Sequence, residues 1–465
     1  MKEELRSLTE KIGSNAEAVG WIDTLRIHSK VAFIDLRDGS GALQVVVEGA
    51  LMEELKGLGH EYLVSIHGDV VERGEKQRTE APLGDIELKA QKIEVITPSE
   101  TPPFPINEDT RAVHEELRFE HRYLDLRSER MQRNIKKRHE AILHLRNFLA
   151  AEGFLEIETP QLTKGTPEGA REFIVPSRRE KGKGYVLPQS PQQYKQLLMV
   201  GGFSKYFQMA RCFRDEDKRK DRQPEFTQLD LEMAFVEQED VLSLIEHAVI
   251  DLLKKVFPQQ TIQTLPFPRI SYNDAMKQYG SDKPDLRGKD PDPNTMAFCW
   301  VVDFPMFEKD EKTDALTAAH HPFTKPQDAH LEGKSEEELL SIPAFSYDLV
   351  LNGYELGSGS IRIHSQNLQR DVFEVLGLPQ EEIDGRFGHL LKAFQFAPPP
   401  HGGFAIGLDR TLAVLLGEEN IREVIPFPKT GEGKELTTGA PADIPDVTFN
   451  ELGIRLAKEE KSHDA

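Results

Sequence analysis

Residues 206–235 read YFQMARCFRDEDKRKDRQPEFTQLDLEMAF, two apolar runs flanking a loop in which Arg214, Lys218, Arg219, Lys220 and Arg222 alternate with acids. The return run begins at Glu225-Phe226, so a guanidinium and an aromatic ring fall on neighbouring strands of one sheet. Such a pair can grip a phosphate and stack a purine, whereas a solvated charged hairpin is the plainer reading. The segment SYDLVLNGYELGSGSIRIH places Asp348 and Glu355 seven residues apart, ahead of a run of small residues and Arg362. Two carboxylates beside a phosphate site are candidate magnesium ligands, although most acidic pairs are merely solvated. In HGGFAIGLDRTLAVLL, at 401–416, two glycines allow the backbone to approach a neighbour closely, and Arg410 opens a helix.

These side chains need elements to hold them. The first hundred residues alternate with the period of half-buried strands at 19–27, 31–36, 42–47, 62–71 and 86–96. Five such strands suggest a small barrel, with a hairpin turn at Asp38-Gly39-Ser40-Gly41 and a short plugging helix over 51–58. TPSETPPFP, at 97–105, is a proline-rich spacer that continues neither strand nor helix. A helix is expected over 129–151, with Met131, Ile135, Ile142, Leu145 and Leu149 near one face and Gly153 ending it. Arg127, Arg130, Arg133, Lys136, Lys137 and Arg138 crowd its start as either a solvated face or a phosphate track. Beyond it, strands at 206–213, 226–235, 300–304 and 360–364 mix with helices at 192–199, 241–256 and 367–376, which suggests an antiparallel sheet with packed helices.

Composition narrows the class. The chain has 465 residues, 38% hydrophobic and 29% charged, a globular balance that excludes wholesale disorder. A formal charge of −21 forbids long-range attraction of the whole molecule to polyanions, so any nucleic acid needs a local basic surface. Cys212 and Cys299 are too few for a disulfide framework or a structural zinc site. No apolar run is long enough to span a bilayer and the first residues lack a secretory signal, so a cytoplasmic address is expected by default.

Taken together these segments resemble the class II aminoacyl-tRNA synthetases, and more closely the bacterial-type aspartyl-tRNA synthetases. FLEIETPQL (154–162), RCFRDED with PEFTQLDLE, and GLDR are similar to that class's three ordered signature motifs. RYLDLR (122–127), TKGTPEGAREF (163–173), QSPQQYKQLL (189–198), HHPFT (320–324) and IREVIPFPKT (421–430) resemble patterns of the aspartyl group. The resemblance implies an α+β chain: an N-terminal OB-fold β-barrel for the anticodon at 1–97, a linker at 98–128, a catalytic domain on a six-to-seven-stranded antiparallel sheet at 129–430, and a C-terminal extension at 431–465. The bacterial insertion domain is reduced to a loop at 288–299.

Residue by residue, the resemblance implies that ATP is bound by Arg214 on the α-phosphate, Phe226 under the adenine, Glu216, Gln223, Glu355, and Gly407, Leu408, Asp409 and Arg410, with Arg214 and Arg410 catalytic. Asp348 and Glu355 would hold Mg2+. L-aspartate would meet Glu168, Gln192, Lys195, Arg214, His320 and Arg362, with Asp230 orienting Lys195. A cationic Lys195–Arg362 pair would be left unmatched by neutral asparagine, favouring aspartate. His28, Phe33, Gln44 and Glu87 would read the anticodon, although Phe33 alone reads as a core aromatic. The partners implied are tRNA(Asp), with tRNA(Asn) left open through His28, and a second copy of the chain in a homodimer formed about Pro160, with no membrane. An asparaginyl-type ligase and a non-catalytic tRNA-binding paralogue are the competing readings.

Overall fold

The computed structural model describes residues 4–80, 83–165, 170–216, 221–310 and 312–455. The chain divides into two compact units, Met1–Asn134 and Ile135–Ala465.

In the first unit, β1 (Asn15–Ile27), β2 (Val31–Arg37), β3 (Ala42–Glu48), β4 (Leu63–Glu72) and β5 (Ile86–Thr97) close a barrel in the order β1-β2-β3-β5-β4. The period-2 pattern decides which way each strand faces: Ala32, Ile34 and Leu36 of β2 and Leu43, Val45 and Val47 of β3 are buried inside. Phe33 and Asp35 therefore lie on the outer face, half-buried, and the core reading of Phe33 does not hold. The Asp38 carboxylate accepts from the amides of Ser40 and Gly41 and so closes the β2–β3 turn. Where a helix was expected over 51–58 there is a short 3-10 turn, Gly49–Glu53, after which Leu55 drops into the barrel. The proline spacer is anchored by Phe104 and Ile106, each about 5% exposed.

In the second unit, α1 (Glu129–Ala151) enters from the first and buries Ala141, Leu145 and Leu149. It is followed by β6 (Leu155–Glu156), α2 (Gln192–Val200), β7 (Lys205–Phe213), β8 (Glu225–Ala234) and α3 (Gln238–Val256). Then come β9 (Arg269–Ser271), β10 (Phe298–Val302), β11 (Ser346–Leu351), β12 (Tyr354–Ile361), α4 (Gln366–Val375), α5 (Gln380–Ala393), β13 (His401–Gly407) and α6 (Leu408–Leu416). The sheet has eight strands in the order β9-β10-β11-β12-β13-β8-β7-β6. Its six central strands are antiparallel, while the short edge strands β9 and β6 pair parallel. One face carries Leu229, Leu231, Trp300, Leu349, Phe404 and Ile406 against α1 and α3, which is the main core.

The strand expected at 360–364 lies at Tyr354–Ile361 instead. Its glycines sit in register because β13 passes close by: a Cβ on Gly357 would meet the Ala405 carbonyl oxygen at 2.3 Å. Asn352 and Gly353, both with positive φ, form the tight β11–β12 turn.

Candidate active site

The sheet face opposite the core lines a cavity of about 640 Å³. Its floor follows from register. Asp348 of β11, Ser358 of β12, Ala405 of β13 and Asp230 of β8 form one cross-strand row, and Ser360, Gly403 and Glu232 form the next. Opposed residues share a face, so QLDLE sends Gln228, Asp230 and Glu232 to the cavity side and its leucines to the core. The middle strand contributes His401, Gly403, Ala405 and Gly407 on this side; Ala405 and Gly407 line the cavity, while Glu232 packs over Gly403.

At one end of the cavity lies a buried charge cluster. Lys195, carried with Gln192 on one face of α2, donates from Nζ to Asp230 at 2.7 Å and stands 3.1 Å from Glu232. Arg362 grips both oxygens of Glu232, at 2.9 and 3.2 Å, and its Nη1 reaches Ser360 Oγ at 2.6 Å and His321 Nε2 at 2.7 Å. All four charged residues are about 1% exposed or less. Despite its burial, Glu232 is held down to about 2 by Arg362 and Lys195. Desolvation pushes Asp230 up, against the opposing pull of Lys195. Burial and the Arg362 guanidinium keep His321 well below its usual range, so the ring is neutral and accepts from Arg362. Burial likewise lowers His320 to about 4, and its Nδ1 lies 3.1 Å from Ser358 Oγ.

Glu232 changes one expectation. Lys195 and Arg362 are not an uncompensated pair, because two cations face two carboxylates and the formal sum is zero. Discrimination must therefore rest on which donors Glu232 leaves pointing at a ligand, not on unmatched positive charge.

At the other end, Arg214 follows β7 and its guanidinium lies over the Phe226 ring, 5.1 Å from the centroid. The neighbouring-strand arrangement is as read, with Phe226 opposite Cys212. Arg410 opens α6 and donates to the Glu355 carbonyl at 2.9 Å and to Asp221 at 3.2 Å. Glu216 pairs with Arg222 at 2.7 Å. The Gln223 amide grips the Lys429 backbone at both ends, 2.9 Å from the carbonyl and 2.8 Å from the amide nitrogen, so it ties the C-terminal segment to the cavity wall. Asp409 accepts from Arg138 and from the Thr227 amide, which makes it a brace beneath the site. The Leu408 side chain is buried in the main core and does not border the cavity.

Asp348 and Glu355 come together because a bulge between Leu349 and Val350 shifts the β11–β12 register, placing Glu355 opposite Val350 and on the Asp348 side. Asp348 is buried and raised well above the carboxylate range by desolvation and by Glu355. Glu355 pairs with Lys283 at 3.0 Å. Glu168, Lys218, Arg219 and Lys220 lie outside the described residues. Of the basic run around the start of α1, Arg127 pairs with Glu61 and covers Trp21, Arg130 faces Asp109, Lys137 pairs with Glu140 and Arg138 with Asp409, while Arg133 and Lys136 are exposed.

On the barrel, Gln44 donates to Glu87 at 3.1 Å. The exposed His28 ring meets Phe33 edge-on at 6.0 Å, on the same outer surface where Arg26 pairs with Asp35.

The comparisons with known proteins decide the family. Residues 114–431 match the class II tRNA synthetases (D, K and N), and residues 17–96 match the OB-fold nucleic acid binding domain. The chain belongs to the class II tRNA synthetases. It is 38% identical to an aspartate–tRNA(Asp/Asn) ligase of Dictyoglomus turgidum over 98% of each chain. It is 37% identical to an aspartate–tRNA ligase of Macrococcus caseolyticus over 96% of each. Among solved structures, the asparaginyl-tRNA synthetase of Pyrococcus horikoshii complexed with asparaginyl-adenylate shares the fold, with a TM-score of 0.72 and 24% identity over 92% of this chain and 98% of that one. The Dictyoglomus alignment spans 585 positions against 465 residues here, so at least 120 positions of that relative have no counterpart in this synthetase. Between Arg287 and Trp300 this synthetase has a short loop and the two-residue strand Thr295–Met296.

Sequence reasoning missed Glu232, His321 and Lys283. The first two were within reach: Glu232 stands two residues from Asp230 on a strand, and His321 stands beside His320. Lys283 carries no local signal, because its partner Glu355 is 72 residues away.

Proposed function

We propose that this synthetase is an aspartate–tRNA ligase that makes aspartyl-adenylate from L-aspartate and ATP and then charges the 3′ end of tRNA(Asp). The observation that carries the reading is one cavity with Lys195 and Arg362 at one end and Arg214 over Phe226 at the other, in a chain 38% identical over its length to an aspartate–tRNA(Asp/Asn) ligase. In the first step an α-carboxylate oxygen of aspartate attacks the α-phosphorus in line and pyrophosphate leaves. In the second a terminal ribose hydroxyl of tRNA attacks the acyl carbon and AMP leaves. Neither step needs a protein nucleophile, so the protein's part is position and charge.

Arg362 and Lys195 hold the side-chain carboxylate, while Glu232 and Asp230 fix those two donors. Gln192 and His320 border the amino acid, and Glu168 would meet its ammonium. Arg214 neutralises the phosphate at which attack occurs, Phe226 and Arg410 sandwich the adenine, and Glu216, Gly407 and Gln223 shape the nucleotide wall. Asp348 and Glu355 suit Mg2+: both are carboxylates, and the buried Asp348 Oδ1 has no hydrogen-bond partner among the described residues. The ion would screen the polyphosphate. Residues 1–97 form the anticodon module, with Phe33, Gln44 and Glu87 on its outer face, 98–128 the linker, 129–430 the catalytic domain and 431–465 the extension. The enzyme works as a cytoplasmic homodimer.

His28 extends the proposal to tRNA(Asn). An imidazole donates or accepts according to tautomer, so it tolerates either of two anticodon bases better than a fixed donor does. Charging of purified tRNA(Asp) and tRNA(Asn) with labelled aspartate tests both parts. Aspartylation of both, with the tRNA(Asn) rate changed in His28→Leu, is the expected result. No aspartylation of tRNA(Asp) would end the reading, and none of tRNA(Asn) would end the extension.

A further inference from the structure

Lys283 comes from YGSDKPDLR (279–287), a segment that otherwise contributes nothing to the cavity floor. Its ammonium lies 3.0 Å from Glu355 Oε2, at a side-chain exposure of 41%. Beside Glu355, the Asp348 carboxylate is 5% exposed, and its Oδ1 has no hydrogen-bond partner among the described residues. Asp282 adds a further negative charge that both Asp348 and Lys283 feel. Arg410 hydrogen-bonds Glu355 through its backbone carbonyl, at 2.9 Å, and acts on the carboxylate by charge, so among the described residues Lys283 is the side chain that pairs with it directly.

Small hard divalent ions take one or two protein carboxylates and complete their shell with water and phosphate oxygens. No group of three or more His, Cys, Asp or Glu side chains able to hold an ion occurs among the described residues. The protein's own share of such a site is thus two carboxylates, one of them already matched by a tethered ammonium.

We propose that Lys283 is a built-in cation that holds Glu355, one half of the Asp348–Glu355 pair, in the nucleotide-free protein, so that a divalent ion gains the pair only together with a nucleotide. An ion arriving alone must displace the ammonium for two ligands. One arriving on a polyphosphate brings its own oxygens and offers the displaced ammonium new anionic partners. Lys283 is a positioning residue on this account: it makes metal and nucleotide loading a single event and offsets part of the charge of Glu355 beforehand. The inference rests on the reading of Asp348 and Glu355 as metal carboxylates.

The test is Mn2+ binding to the full chain, followed by the electron paramagnetic resonance of the free ion, with and without a non-hydrolysable ATP analogue. Without nucleotide, Lys283→Met and Lys283→Gln should each tighten Mn2+ binding at least tenfold over wild type, Lys283→Arg should not, and adding Asp348→Asn to Lys283→Met should cancel the gain. Affinities of the Met and Gln variants within twofold of wild type would overturn the role of Lys283. With the analogue, Asp348→Asn in the wild-type background should abolish Mn2+ uptake at the site. Unchanged uptake there would instead overturn the metal reading itself, and the Lys283 inference with it.

Discussion

Glu232 carries more of this site than its place in the sequence suggests. It is fully buried and binds two cations at once, so Glu232→Gln leaves Lys195 and Arg362 with a single carboxylate between them. Breaking a buried pair in this way costs about 3–5 kcal/mol. Urea unfolding of Glu232→Gln should show a loss of that size, and aspartate KM should rise because Arg362 loses the fork that aims it; unchanged stability with unchanged KM would contradict the assignment. His321 gives a pH dependence with a definite sign. Its folded pKa lies well below the unfolded value of about 6.5, so at mildly acidic pH the unfolded chain binds the extra proton. Its contribution is complete above pH 6.5 and declines as the pH falls below that value, by at most about 1.4 kcal/mol per unit. Between pH 6.5 and 5.5 the wild type should lose about 1 kcal/mol more than His321→Asn does in the same buffers. Equal losses would mean that the ring is not held neutral.

Among the elements, β13 is the one on which the cavity depends most. Its core face includes Phe404 and Ile406, and its other face His401, Gly403, Ala405 and Gly407, of which Gly403 is far tighter than Gly407. A methyl group on Gly403 would sit 1.9 Å from Glu232 Oε2 and 2.3 Å from the Leu231 carbonyl oxygen. Gly403→Ala should therefore behave as a milder Glu232 variant, raising aspartate KM at least tenfold while the KM for ATP changes less than twofold; a proportionate rise in both would point to general disruption. This strand also marks the limit of what the sequence conveys. Long amphipathic patterns were legible: the barrel strands and α1. The glycine-rich stretches of β12 and β13 were not, because glycine reads locally as turn and only the neighbouring backbone makes it strand. The same held for the Leu349–Val350 bulge, on which the meeting of Asp348 and Glu355 depends, and for Lys283, whose contact is wholly long-range.

For the whole molecule, the functional reading came from motif order along the chain, and the geometry then altered parts of it. Around the start of α1, Arg127, Arg130 and Arg138 brace the fold while Arg133 and Lys136 are exposed, so only part of that basic run lies on the surface of an acidic protein of charge −21. The segments present in the Dictyoglomus relative and absent here leave the cavity walls intact: the elements that hold Arg214, Phe226, Lys195, Glu232, Arg362 and Arg410 are all in position. Activation chemistry should accordingly be complete within this chain and need no tRNA. The most direct measurement is exchange of labelled pyrophosphate into ATP, run separately with each of the twenty amino acids and without tRNA. The account predicts exchange with aspartate, at least a hundredfold faster than with asparagine, and its loss by orders of magnitude in Arg362→Leu while ATP still binds. Exchange that is fastest with asparagine, or with no amino acid at all, would contradict it.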